Sequence, residues 1–228
     1  MLQMTRRCAW KAIGIAGALT RLAAEPDRSQ PVSAKHALDD LLAGNARFKA
    51  GQPLHPRRRP EDFRATAAAQ FPQAVIITCS DSRVAPEVLF DVGVGDVFII
   101  RIAGNIIAGA GVTIKGSIEY AVAELNVPLI MVLGHSNCGA VKSAVQHLND
   151  NDALPGSING LVNLVKPAVA ASKNQPGDPL SNAIRQNVIL GVNFLSDFGP
   201  IIAPKVKSGS VKIVGGVYDL QTGSVALV

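Results

Sequence analysis

Two short, continuous runs of apolar residues limit what this chain can fold into. The first is AVIIT at residues 74–78, and the second is PLIMVLG at residues 128–134. Runs of this length without polar alternation are typical of central strands in a parallel sheet covered on both faces. The sequence therefore predicts a single-domain α/β fold with a central, mostly parallel β-sheet flanked by helices.

Side chains that can ligate a metal follow both runs. Cys79 ends the first run, His135 ends the second, and Cys138 comes three residues later, where a helix over residues 139–148 is predicted to begin. The carboxyl ends of parallel strands meet at one edge of a sheet, so these side chains are expected to lie close together. A thiolate at a helix N-terminus also faces the positive end of the helix dipole. Two thiolates and one imidazole are a soft ligand set that suits zinc.

The residues alone leave other roles open for the two cysteines. A cysteine at a strand end often packs as a small buried hydrophobic residue, and Cys79 could pair with Cys138 in a disulfide. The metal interpretation is favoured because two of the three cysteines fall at strand ends, with a histidine at ligand spacing. Structural zinc sites usually have four protein ligands, whereas three ligands leave one position for chemistry. The sequence thus predicts one catalytic Zn²⁺ per chain.

The chain from about Ser33 to its C-terminus resembles the β-class carbonic anhydrases, and five motifs carry the resemblance. They are CSDSRV at 79–84, GDVFIIR at 95–101, AGN at 103–105, SIEYA at 117–121 and GHSNCGA at 134–140. The resemblance implies that zinc is bound by Cys79, His135 and Cys138. It further implies that Asp81 and Arg83 form a catalytic dyad and that the reaction is the reversible hydration of carbon dioxide to bicarbonate.

The resemblance extends to a substrate pocket of the plant-like branch of that family. In that branch a glutamine hydrogen-bonds bicarbonate or the oxygen on zinc, and three further positions wall the pocket. The matching residues are Gln70 for the glutamine, Phe98, Ala103 and Tyr120 for the walls, and Gly139 beside the second cysteine ligand.

The expected chemistry accounts for the dyad. Hydration near neutral pH needs hydroxide, which zinc supplies by lowering the pKa of bound water from 15.7 to about 7. Asp81 would accept a hydrogen bond from that water, while Arg83 holds Asp81 ionised and turned away from the metal. Some family members place this aspartate on zinc, through a second bicarbonate site with a tryptophan three residues before the first cysteine. Ile76 has that position here and the only tryptophan is Trp10, so an open site is predicted.

Two other functions remain compatible with the sequence. One is hydrolysis of carbonyl sulfide or carbon disulfide on the same fold, and the other is a non-catalytic zinc or bicarbonate-sensing protein. The sequence discriminates poorly between the substrates, although Gln70 and the intact Asp81–Arg83 pair favour carbon dioxide. The same pair argues against a non-catalytic protein, since a purely structural metal site does not need it.

The segment of residues 25–60 is predicted to be an arm and linker before a catalytic domain at 61–228. Ser33 is a candidate N-cap for a helix to about Ala50, with apolar residues at helical spacing. In the family it resembles, such an arm packs on a partner subunit, which implies a homodimer or higher homo-oligomer. The run Arg57-Arg58-Arg59 is expected to be a solvated stretch that forms salt bridges, with no role in nucleic-acid binding.

Residues 1–24 have the three regions of a twin-arginine export signal. Arg6-Arg7 is followed by an apolar stretch at 12–19 and by Ala23-Ala24. The apolar stretch is too short to span a bilayer, so no stable membrane insertion is expected. Cleavage would remove four cations and no anions, and the formal net charge would fall from +5 to +1. A periplasmic location is therefore expected, or a cytoplasmic one if the segment is not a leader.

Overall fold

A computed structural model of the chain describes residues 32–148 and 154–228. The predicted leader lies outside these residues. The helices are α1 Ala34–Lys49, α2 Pro60–Ala65, α3 Pro86–Leu89, α4 Gly111–Ala123, α5 Gly139–Gln146, α6 Ile158–Ser172, α7 Pro179–Ser196 and α8 Ile202–Lys207. The strands are β1 Ala74–Thr78, β2 Val97–Arg101, β3 Leu129–His135, β4 Lys212–Tyr218 and β5 Val225–Leu227, and a short 3₁₀ turn covers Ala103–Asn105.

The five strands form one sheet in the order β2-β1-β3-β4-β5. Strands β1 to β4 are parallel, and β5 runs antiparallel to β4 at one edge. Every residue of β1 and β3 is buried, as the continuous apolar runs predicted. The mostly parallel α/β fold predicted from the sequence is therefore confirmed.

Helix α1 begins and ends where the sequence predicted, and one of its faces packs on its own chain. Ser33 is its N-cap, and the Ser33 hydroxyl accepts a hydrogen bond from the His36 backbone N–H at 3.1 Å. Its apolar face, with Leu38 and Leu41, is buried against the sheet and α3 of its own chain. The packing of this arm on a partner subunit stays a prediction, and it would have to use the other faces of the helix. Burial of this face already uses the helix's amphipathic pattern within one chain.

The side-chain amide of Asn45 also fixes α1 to its own chain. It donates hydrogen bonds to the carbonyls of Leu89 and Gly223 at 3.1 and 2.9 Å, and its oxygen accepts from the Val225 N–H at 2.9 Å. These bonds satisfy a buried polar side chain while they join α1 to α3 and to the turn before β5. The helix is thus an integral part of the core.

The arginine run is less solvated than the sequence suggested. Arg57 is largely buried and forms a salt bridge with the buried carboxylate of Asp96, which also accepts from the Gly93 N–H at 2.8 Å. A buried carboxylate needs such partners because its desolvation is otherwise costly. Arg58 donates to the carbonyls of Glu87 and Val92, so two of the three arginines hold the β2 side of the domain together.

Helix α7 packs closely on the strands that carry the site. A Cβ atom at Gly134 in β3 or at Gly215 in β4 would lie 2.7 Å from a methyl group of Val188 in α7. The two glycines therefore allow the helix to approach the carboxyl half of the sheet, because any larger side chain would push it away. This close approach places α7 next to the end of β3, where His135 lies.

Candidate metal centre

Three predicted ligands come together at the carboxyl edge of the sheet. Cys79 directly follows β1, His135 is the last residue of β3, and Cys138 is the N-cap of α5. All three are buried, and their ligand atoms lie within 4.8 Å of one another. The adjacent parallel strands β1 and β3 end side by side, which explains how residues more than fifty positions apart meet.

The distances between these atoms fit zinc and exclude a disulfide. The Cys79 and Cys138 Sγ atoms are 4.0 Å apart, and both cysteines are free. Two zinc–sulfur bonds of about 2.3 Å at a tetrahedral angle would separate the sulfurs by about 3.8 Å. A disulfide would need a separation of about 2.05 Å. The geometry therefore supports shared metal binding by Cys79 and Cys138 over a disulfide between them.

The tautomer of His135 follows from its hydrogen bond. Its Nδ1 lies 2.9 Å from the backbone carbonyl of Ser136. A carbonyl only accepts, so Nδ1 carries the proton and Nε2 has a free lone pair. Nε2 is buried and has no hydrogen-bond partner within the described part of the chain. This lone pair lies close to two thiol groups, so the three atoms together could bind one zinc ion.

Backbone N–H groups surround the two sulfurs and favour negative charge there. The Gly104 N–H donates to Cys79 Sγ at 3.2 Å, and the backbones of Ala140 and Val141 bond to the Cys138 sulfur at the start of α5. The hydrogen bond between the two cysteines lowers the pKa of Cys79 and raises the pKa of Cys138. Zinc binds cysteine as the thiolate, so N–H groups that favour negative charge on these sulfurs also favour metal binding.

Asp81 and Arg83 form a bidentate pair next to these ligands. Arg83 Nε donates to Asp81 Oδ1 at 2.9 Å and Nη2 donates to Oδ2 at 2.7 Å, while the Arg83 N–H also donates to Oδ1 at 2.9 Å. These bonds from Arg83 hold the pKa of Asp81 well below its usual range. Asp81 Oδ2 lies 3.8 Å from His135 Nε2, so the ionised carboxylate faces the metal position without belonging to the ligand cluster.

The residues predicted to line a substrate pocket are less closely grouped in the single chain. Phe98 on β2 and Tyr120 on α4 are in contact, with ring centroids 6.3 Å apart, and Tyr120 is 48% exposed. Ala103 begins the 3₁₀ turn and Gly139 begins α5, both beside the ligands. Gln70 is exposed in the segment between α2 and β1 and makes no hydrogen bond to the described residues. The assigned roles of all five residues remain predictions.

Three residues that support the centre were not assigned a role from the sequence. Arg101 donates to the carbonyls of Cys79 and Asp81 at 3.2 and 2.6 Å and so holds the loop that carries both. Gly104 supplies the N–H to Cys79, and Asn187 of α7 donates to the Gly104 carbonyl at 2.8 Å. The GDVFIIR and AGN motifs contain Arg101 and Gly104, but no local pattern marks Asn187.

Gly104 has a backbone conformation that favours glycine. Its φ of 72° lies in the left-handed region, and a Cβ atom there would lie 3.1 Å from the Cβ of Ala140. Only glycine adopts this conformation without strain, and its absent side chain lets the turn approach α5. This explains why the residue that donates to Cys79 is a glycine.

Comparisons with known proteins agree with this centre. The family described as carbonic anhydrase matches residues 74–225. A carbonic anhydrase of Mycolicibacterium smegmatis is 43% identical over 199 residues, which cover 87% of this chain and 94% of the relative. A carbonic anhydrase of Pseudomonas aeruginosa is 34% identical and covers 82% and 85% of the two chains.

Solved structures of β-carbonic anhydrases have a fold similar to that of this chain. The β-carbonic anhydrase CcaA is similar with a TM-score of 0.67 and 27% identity, covering 83% of this chain and 94% of its own. One of two tetrameric β-carbonic anhydrases from Sordaria macrospora has a TM-score of 0.67 and 26% identity, covering 85% and 95%. Within residues 32–148 and 154–228, no helix has the length and hydropathy needed to cross a bilayer. With a Cys79–His135–Cys138 cluster that can hold one metal ion, the chain belongs to the carbonic anhydrase family, whose members are lyases.

Proposed function

We propose that this chain hydrates carbon dioxide reversibly at an open zinc site. The observation that carries the proposal is the Asp81 carboxylate, which lies next to a three-ligand cluster yet is held by two side-chain hydrogen bonds from Arg83. When bound, zinc makes hydroxide available near neutral pH by lowering the pKa of a coordinated water. Three protein ligands leave the fourth position for that chemistry.

Asp81 and Arg83 have separate roles in this reaction. Asp81 accepts a hydrogen bond from the reacting water and orients its lone pair toward carbon dioxide. Arg83 keeps Asp81 ionised and fixes its direction, because a bidentate guanidinium–carboxylate pair has one preferred geometry. Ile76, which is fully buried, supports the open-site branch, since no tryptophan is available beside Cys79 for the closed arrangement.

Stopped-flow assays with three substrates test this proposal. The purified zinc-loaded protein is expected to hydrate carbon dioxide far faster than it hydrolyses carbonyl sulfide or carbon disulfide. Faster turnover of either sulfur substrate would favour the alternative hydrolase. Absence of turnover with all three, in protein that holds one zinc per chain, would favour a sensing or structural role.

The assembly is proposed to be a homodimer or larger, formed along the free edge of β2. Within residues 32–148 and 154–228, β2 pairs with no strand except β1, so its other edge lacks a strand partner there. A groove of about 510 Å³ lies beside it, lined by residues that include Phe63, Val88 and Val97. Phe63 and Val88 are 57% and 45% exposed, which is unusual for large apolar side chains unless another surface covers them. A second copy of the chain is the proposed occupant, and the tetrameric relatives support this choice.

Charged substitutions in this groove test the assembly. The double substitution Phe63→Glu and Val88→Glu is expected to give a monomer in light scattering, because it places two charges in an apolar contact. Leu227→Glu is the matched control, since it changes an exposed apolar residue at the opposite edge of the sheet. An unaltered assembly in the groove variant, or dissociation by the control alone, would contradict a β2-edge interface.

Export through the twin-arginine route is proposed for residues 1–24. Apart from Cys8, which lies in this segment, the cysteines are the two zinc ligands, and prior folding around the metal would protect them from oxidation. The double substitution Arg6→Lys and Arg7→Lys is expected to retain folded, active precursor in the cytoplasm. Cell fractionation and N-terminal sequencing measure the result. A native N-terminus at Met1, or normal export of the variant, would show that the segment is not such a leader.

A further inference from the structure

We propose that Asn187 is a positioning residue for the zinc-binding thiolate of Cys79 and acts through the backbone of Gly104. The Asn187 side-chain amide donates to the Gly104 carbonyl at 2.8 Å. The Gly104 N–H in turn donates to Cys79 Sγ at 3.2 Å. A side chain of α7 thereby reaches a metal ligand on the far side of the 3₁₀ turn, 108 positions earlier in the sequence.

Gly104 needs such an external restraint because glycine is the least constrained residue. Its left-handed φ of 72° is one of several conformations open to it, and the turn that contains it is only three residues long. Within the turn the Asn105 N–H donates to the Ile102 carbonyl at 2.9 Å, and the Gly104 carbonyl, which belongs to the same peptide group, accepts from Asn187. The Asn187 bond thus restrains the peptide group on the C-terminal side of Gly104 and so supports, together with the bond inside the turn, the conformation in which the Gly104 N–H faces Cys79.

Helix α7 is a rigid platform for this contact. Val188, the next residue, is fully buried against Gly134, which directly precedes His135. The same helix thus packs against the strand end that carries His135 and holds the turn that contacts Cys79. A side chain on such a platform can fix a neighbouring backbone more precisely than one on a loop.

The hydrogen bond from the Gly104 N–H to the Cys79 sulfur affects how this thiolate binds a metal. It withdraws charge from the thiolate and fixes the direction of its lone pairs, as outer partners of metal ligands commonly do. Loss of that bond would raise the energy of the sulfur lone pairs, and it would also leave the thiolate less well placed for the metal, so binding would weaken. If Asn187 only stabilised the fold, its removal would lower the thermal midpoint without altering the cysteine–metal bond.

Cobalt(II)-substituted protein separates the two roles. In Asn187→Ala the thiolate-to-cobalt absorption band is expected to move to longer wavelength, and the zinc affinity is expected to fall about tenfold. Asn187→Asp has nearly the same shape but only accepts hydrogen bonds, so the same shift is expected there. This second variant keeps the test decisive if the alanine variant does not fold. Asn193→Ala is the matched control, because it changes an exposed asparagine of the same helix that has no side-chain hydrogen bond among the described residues.

The outcomes distinguish this inference from the proposed function, on whose metal site it rests. An unmoved band in either cobalt-loaded variant, with only a lower thermal midpoint, would overturn the positioning role. It would leave carbon dioxide hydration untouched, since the band is measured without substrate. Failure of the unmodified protein to bind cobalt at its cysteines would overturn both.

Discussion

Replacement of Cys79 or Cys138 by alanine is expected to remove zinc and carbon dioxide hydration together. Each variant leaves only two of the three ligands that lie within 4.8 Å of one another. Two ligands do not hold zinc firmly in competition with water, and without zinc no hydroxide is available near neutral pH. We expect less than about one-tenth of a zinc per chain and a fall in the hydration rate of more than about 1,000-fold.

Metal analysis and stopped-flow hydration measure both effects in the same samples. Cys8→Ala is the matched control, because Cys8 is the third cysteine and lies in the predicted leader. It is expected to retain full zinc and full activity. Circular dichroism confirms that the ligand variants remain folded. A Cys79→Ala protein that keeps one zinc and normal turnover would contradict the assignment of this centre.

Replacement of Arg83 by alanine is expected to preserve zinc while it lowers turnover by about 100-fold. Arg83 contributes no ligand, but three of its N–H groups hold Asp81. Once released, the carboxylate can turn toward the metal position, since Oδ2 is already only 3.8 Å from His135 Nε2. Misplacement of a reacting group by about 1 Å can cost about 100-fold in rate.

Parallel measurements of zinc content and turnover test this second prediction. Arg83→Lys keeps the charge but loses the bidentate geometry, so intermediate turnover is expected. Arg64→Ala is the control, since Arg64 is an exposed arginine of α2 away from the ligands. Loss of zinc in Arg83→Ala would show that Arg83 supports the ligands, and unchanged turnover would show that Asp81 needs no restraint.

The same pair gives a pH dependence of stability with a defined sign. Arg83 lowers the pKa of Asp81 in the folded protein relative to its value of about 3.9 in an unfolded chain. A lowered pKa stabilises the fold above the unfolded value, and this contribution disappears as the pH falls through the folded value. The stability difference between the unmodified protein and Arg83→Ala should therefore be present at pH 7 and shrink below about pH 4. This stability difference should be small, because about half of the Arg83 side chain is exposed and water screens the ion pair.

The sequence by itself determined the two central strands, the candidate ligands and the ends of the first helix. Residues 74–78 and the run at 128–134 predicted β1 and β3, and Ser33 is the N-cap that its side chain suggested. These features were accessible because strand burial and helix capping depend on short stretches of sequence. The ligand residues followed from the same logic, since parallel strand ends must meet at one edge of the sheet.

Only the tertiary structure decided what each element packs against. The apolar spacing of α1 showed that one face is buried, but not that Leu38 and Leu41 cover the sheet of their own chain. The sequence predicted that Arg57 is solvated, whereas the structure places it in a salt bridge with the buried Asp96. The contact from Asn187 to Gly104 joins residues 83 positions apart, and no local pattern encodes it. A pattern along the chain specifies which face of an element is apolar, whereas the partner of that face depends on how all the elements pack together.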